Sequence, residues 1–427
     1  MRMFILSISF LNVKVFNVRN KFYEFSTAII LVIFYELLCY FFIVLKKPIT
    51  GDEHHFYETV VIFSKNLKLG TIVSYDELIT PLTFIIYGWF AKTFGTDLHT
   101  VRIVSLIMGF FTHIFFFVLL KNILRQPFIY WSLFLIWLLN PYILGFNGLV
   151  FTDGLSNLLS VGFLFAVYKN HYMLAFLSSA LLLYTRQYNI LIVGAAGIYY
   201  LLLASKDKGL NLNMLLSLAL GSATIIPLFI MWRGFSPVGA MSEKLTAVPF
   251  MFYAESLPVY IYCIFIFVLP ISAVIIWHSK ISKKEWYYII IFTLFYYNLF
   301  PVAPSFIAVQ DGFHTVGLFD KLVTLIFGNS LVKHLILYLS FLFGSVLFYL
   351  FVKEFFLRKY NFKTLDFHTF SLIYLVIFLG AMMVNFQIWE KYFTQVLPVV
   401  LLMSGKLLEQ RLPQLSDNFK RFRRFKA

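Results

Sequence analysis

The sequence predicts an all-α, polytopic membrane protein. Its 427 residues are 60% hydrophobic and 20% aromatic, and only 13% are charged. A soluble domain of this size has too little polar surface to cover that much apolar side chain. Apolar runs of about 20 residues recur along the chain, each long enough to cross a bilayer as a helix. Lysine and arginine gather in alternate loops, as the positive-inside rule requires. The net charge of +15 is therefore spread over loops and ends. It forms no nucleic-acid face, and no nucleic-acid partner is expected.

In chain order, 1–25 reads as a basic cytoplasmic N-terminus. MRMFILSISFLNVKVF is interrupted by Lys14 and lacks a small-residue cleavage site, so no cleavable signal is expected. Apolar runs then predict about twelve crossings, at 26–45, 101–120, 128–145, 149–168, 171–185, 188–204, 212–232, 257–277, 286–303, 331–352, 367–385 and 389–405. The stretch 80–95 opens with Pro81 and carries Lys92. It reads as a helix lying at the interface, with Tyr87, Trp89 and Lys92 at headgroup depth, and 56–68 reads similarly. With 80–95 not crossing, roughly two-thirds of the 35 Lys and Arg fall on one side, which is then the cytoplasmic one. Both chain ends lie there, and the basic tail 406–427 sits on an anionic leaflet. Most acidic residues fall on the opposite, outer side. Outer segments are 46–100, 233–256 (Arg233, Glu243, Lys244) and 304–330 (Asp311, His314, Asp320, Lys321), with tight turns near Arg186 and Lys391.

Candidate chemistry starts in the first outer loop. Asp52, Glu53, His54, His55, Glu58, Asp76 and Glu77 crowd the stretch from Pro48 to Pro81. Adjacent carboxylates at a membrane boundary must be solvated, paired or used. Asp52 and Glu53 are read as a general base with a second carboxylate, or as a loop start paired with Lys46 and Lys47. His54 and His55 could meet a divalent cation with Glu53 or Glu58, or serve as hydrogen-bonding groups. Asp153 opens an apolar run, facing a cavity or favoured by the helix dipole. Arg186, with Gln187 and Asn189 beside it, needs an anion: a lipid phosphate, Asp153 or a substrate phosphate. Lys391 and Tyr392 form an interfacial belt or a phosphate contact. Glu36, alone in the first span, should be structurally paired. Cys39 and Cys263 lie in apolar runs and read as core. No P-loop, GxSxG, CxxC or HExxH pattern occurs.

The ordered set GDEHHFYE, DELITPLTFIIY, HTVRIVSLIMGFF, FTDGLSN and TRQYNI resembles the membrane-embedded GT-C glycosyltransferases that use polyprenyl-phosphate sugars. More narrowly, it is similar to the α-1,2-glucosyltransferase that adds the last glucose to the dolichol-linked oligosaccharide. The matching positions are Asp52-Glu53-His55, Ile79-Thr80-Pro81, Thr152-Asp153 and Arg186-Gln187-Asn189. Coverage runs over about 48–200, with a weaker echo in EKYFTQVLP.

The resemblance implies a catalytic membrane module over 26–232 and variable helices over 233–405. It implies an inverting transfer at the non-cytoplasmic leaflet, from a polyprenyl-phosphate sugar to a lipid-linked glycan or other saccharide. Asp52 and Glu53 would be catalytic. Arg186, Lys391 and His314 would hold the donor phosphate, and His55, Thr80, Asp153, Gln187 and Asn189 would bind substrate. No cofactor is required, and a divalent metal, if used, would meet Glu53 and His55. A transporter, flippase or polymerase of lipid-linked saccharides is the rival expectation. The chain has no Asn-x-Ser/Thr sequon, which favours a bacterial or archaeal cell membrane over the endoplasmic reticulum.

Overall fold

The computed structural model describes residues 22–205, 211–237, 239, 251–310, 312–357 and 366–424, with the side chains of 412–424 left aside. Glu243, Lys244, Asp311, the first 21 residues and the basic side chains of the tail lie outside the described residues. The described chain is helical throughout and holds no strand.

Among the described residues, five helices are long and apolar enough to cross a membrane: α1 (Phe22–Val44), α5 (Leu98–Ile123), the run Gln187–Ala204, the run Leu212–Trp232, and Leu331–Leu357. Two bent pairs raise the number to seven. Pro127–Leu138 (α6) and Pro141–Gly148 (α7) meet at 59°, and Ser256–Ile266 and Ile271–Trp277 meet at 91°. Proline opens α6 and α7 and stands just before Ile271, where a missing N–H costs a helix least. The other expected crossings fall on shorter or more polar helices. Tyr172–Thr185 (α9) and Phe367–Met382 are apolar but short. Thr152–Lys169 (α8) is long enough, but one face carries Thr152, Asp153, Ser156, Asn157 and Ser160, all buried. That face lowers its hydropathy because it packs inward. The run expected at 389–405 begins as a 3₁₀ turn, Glu390–Gln395, before the last helix, Leu397–Arg424, takes over.

The segment 46–100 folds as expected into short helices. Glu53–Lys65 (α2) and Leu82–Phe94 (α4) pack against each other, with Leu69–Val73 (α3) between them in sequence. Thirteen residues rise only about 20 Å, so α4 is too short to cross about 30 Å of hydrocarbon. Gly88 permits the packing: a Cβ there would lie 2.7 Å from Cβ of Phe63.

The ends of the helices position the site. The C-terminal ends of α1, α9 and Phe367–Met382 converge with the N-terminal ends of α2, α5, α8, Ile190–Ala204 and Leu397–Arg424. The cavity contacts that follow lie at this end of the bundle.

Candidate active site

A cavity of about 800 Å³ opens there, within the size range of small-molecule sites. Its polar wall is Asp52, His55, Glu77, Arg186, Gln187 and Lys391. Phe378, Met382, Phe386, Trp389 and Tyr392 contribute an apolar side.

Asp52 is placed by the turn before α2. Gly51 sits at φ +58°, a left-handed conformation that a side chain would strain. Asp52 follows as the N-cap residue of α2, and its carboxylate accepts from the Lys391 ammonium. Burial alone would raise the Asp52 carboxyl, but Lys391, with smaller help from His55 and Arg186, holds it below the usual range. Lys391 also lies 4.0 Å from the centroid of the Trp389 ring, a cation–π contact that fixes its reach.

Glu53 does not share this cavity. One residue on, α2 turns by about 100°, and Glu53 faces the interior. Arg102 grips it with Nε to Oε1 at 2.7 Å and Nη2 to Oε2 at 2.6 Å, both side chains fully buried. The Val150 N–H adds a third bond at 2.9 Å. Arg102 also donates to the carbonyls of Lys47 and Val44, at 2.7 and 3.1 Å. The expected catalytic or metal-binding Glu53 is thus a structural lock joining α1, α2, α5 and the α7–α8 junction. Lys46 and Lys47 are not the partners of the acid pair.

Arg186 takes the alternative that named Asp153. Its Nη2 donates to Asp153 Oδ2 at 2.6 Å and to Thr152 Oγ1 at 2.5 Å, while Tyr188 Oη donates to Asp153 Oδ1 at 3.2 Å. The pair is not closed, because Arg186 lines the cavity and both bonds to Thr152 and Asp153 come from Nη2 alone, leaving Nη1 without a hydrogen bond among the described residues. Gln187 also lines it and donates to the carbonyls of Leu78 and Phe235, at 2.7 and 2.8 Å. Asn189 does not reach the cavity. Its amide is spent on Ser156, Leu182 and Thr185 at 2.9–3.1 Å, which ties the α9 turn to α8.

Two expected contacts are not brought in. Thr80 is fully buried outside the cavity lining. His314 is exposed, and its neighbour Phe313 is the one that reaches the wall. The described residues contain no group of three or more His, Cys, Asp or Glu side chains arranged for a metal ion. His54 instead pairs with Glu58 at the surface, at 3.4 Å. Glu36 is paired as expected, accepting from Asn147 at 2.6 Å with His113 at 3.6 Å. Cys39 and Cys263 are buried and free.

Sequence reasoning missed two functional neighbours. Glu77 is buried and bonded to His55 Nδ1 at 2.6 Å, with Thr59 donating to it at 3.4 Å. Glu390 is buried without a cation. It accepts from Tyr262 and Tyr142 and from the N–H groups of Phe319 and Asp320, at 2.6–3.1 Å, and so anchors the turn that carries Lys391. The only advance signal for Glu390 was an acid set between two apolar runs. Comparison with protein-family models, with curated proteins and with solved structures finds no match to this chain.

Proposed function

We propose that this chain is a membrane glycosyltransferase of GT-C type. It would move a sugar from a polyprenyl-phosphate donor to a lipid-linked glycan or other saccharide at the non-cytoplasmic leaflet. The observation that carries the reading is one cavity wall where two cations, Lys391 and Arg186, stand beside a carboxylate–imidazole group. Cations at that wall can hold a phosphate and stabilise the charge it gains on leaving. Arg186 spends only Nη2 on Thr152 and Asp153 and keeps Nη1 uncommitted, and Lys391 has two N–H groups beyond the one given to Asp52. The carboxylate–imidazole group beside them can take a proton from an acceptor hydroxyl, and holding the two reactants together contributes most of the rate. No metal is required.

The same reading takes about twelve crossings, with the cavity outward. A bacterial or archaeal cell membrane fits it best. A transporter for the same lipids would spread polar groups through the membrane depth. Here the cavity's charged groups collect at one end of the bundle, which favours transfer over translocation.

Polyprenyl phosphate, the leaving group, should bind. The purified protein should melt at higher temperature with polyprenyl phosphate and be unmoved by the uncharged polyprenol. Saturating ligand at about 100 times Kd adds about 2.7 kcal/mol. Lys391→Met should abolish most of the shift. An equal shift with polyprenol, or a full shift in Lys391→Met, would mean that the cations do not bind the phosphate.

A further inference from the structure

We propose that His55, oriented by Glu77, is the proton acceptor of this site, in place of Asp52. The proposal rests on the transferase reading, and its geometry comes from α2 and the segment before α4. Asp52 and His55 stand three residues apart and so share one face of α2, and both line the cavity. Their partners differ. Asp52 is committed to the Lys391 ammonium. His55 gives its Nδ1 to Glu77 Oε1 at 2.6 Å. An ionised carboxylate only accepts, so Nδ1 carries the hydrogen and Nε2 keeps its lone pair. Nε2 has no partner among the described residues, and the ring is 39% exposed while Glu77 is 2% exposed. A buried carboxylate that fixes the tautomer of a half-exposed imidazole is the arrangement a general base needs.

The charges around His55 support the choice. Burial opposes its protonation, but the hydrogen bond and charge of Glu77, and then Asp52, outweigh that and the opposing Lys391. Its pKa is raised above the ordinary imidazole value. Asp76 flanks Glu77, Arg186 stands beyond Asp52, and His54 with Glu58 lies at the surface of the same helix. Asp52 is held below 3.8, where a carboxylate is a weak base.

The step balances without a further reactant. The acceptor oxygen forms a bond to the sugar's anomeric carbon as the bond from that carbon to the donor phosphate oxygen breaks. The bonding pair leaves with the polyprenyl phosphate, and the hydroxyl proton passes to Nε2 of His55 and then to water. Asp52 keeps Lys391 in place and is a positioning residue, as is Glu77.

Two measurements on the full chain in lipid nanodiscs test this. In the first, diethyl pyrocarbonate reacts with unprotonated imidazole, and His55 is followed by peptide mass spectrometry from pH 5.5 to 9, with His54 as internal control. The reactivity midpoint of His55 should lie above 6.5 and fall in Glu77→Gln. An unreactive His55, or a midpoint indifferent to Glu77→Gln, overturns the dyad whatever the protein's activity. The second is the pH profile of transfer with a panel of radiolabelled polyprenyl-phosphate sugars. The rate should fall as pH drops through the His55 value, so the acid limb lies above 6.5 and moves down in Glu77→Gln. His55→Gln should lose about 10²–10⁴-fold in kcat at near-normal donor KM. His55→Asn, checked for the same elution profile, guards against misfolding. An acid limb below 3.8, or full transfer by His55→Gln, returns the proton to Asp52 and overturns the proposal. No transfer of any sugar by the wild-type protein, with the His55 midpoint as expected, overturns the transferase reading while sustaining the dyad.

Discussion

Glu53→Gln should be the most destabilising small change in the first outer loop. In the folded protein Arg102 is fully buried and has no other anion among its contacts. The glutamine keeps the shape but supplies one oxygen where there were two. If that oxygen stays on Arg102 Nε and the Val150 N–H, the new amide faces Arg102 Nη2, donor against donor. Breaking a buried pair by removing one partner costs about 3–5 kcal/mol, because a buried charge is left uncompensated. For a chain of this size that is a melting shift of roughly 3–6 °C. Fluorescence-detected size exclusion after graded heating, in one detergent and at one heating rate, gives the comparison. His54→Gln is the control: it breaks a surface pair in which both side chains are 63% exposed, and it should change little. Replacing both partners, Glu53→Leu with Arg102→Met, should recover most of the loss, since apolar packing often substitutes for a buried pair. A Glu53→Gln protein that melts with the His54→Gln control would refute the lock.

Two further outcomes follow from the site. Arg186→Lys keeps the charge but loses the planar guanidinium, whose Nη2 serves Asp153 and Thr152 while the side chain lines the cavity. It should not restore the activity lost in Arg186→Ala, as measured by kcat/KM for the donor. Asn189→Ala removes the ties to Ser156, Leu182 and Thr185. It should lower stability by about 1–3 kcal/mol, read as a melting shift, with donor KM unchanged because Asn189 does not reach the cavity.

Much of this was legible in the sequence, and what was not has identifiable causes. Composition and loop charge gave the helical membrane class and the short helices α2 and α4. The polar cluster pointed to Asp52, isolated cations between apolar runs pointed to Arg186 and Lys391, and the fold brings all three to one cavity. Adjacency misled for Glu53. Neighbouring residues of a helix do not face the same way, so one carboxylate meets the cavity and the other meets Arg102. Arg102 belonged to the ordered pattern, but its partner lay across the fold, where spacing says nothing. Glu77 was one acid among several until the fold set it against His55. Asn189 and Thr80 looked functional because they fall on the family pattern, yet one secures a turn and the other is enclosed. Hydropathy undercounts α8 because its polar face is internal.

The central claim is that this cavity transfers a sugar from a polyprenyl-phosphate donor. The direct measurement is transfer of radiolabel by the purified protein from a panel of such donors into lipid-linked saccharide acceptors, beside Lys391→Met and Arg186→Ala at matched protein level. The account predicts transfer from at least one donor by the wild-type protein. It also predicts loss in both variants, with release of polyprenyl phosphate equal to the sugar moved. Movement of intact donor across the membrane without release of polyprenyl phosphate would contradict it and identify a transporter.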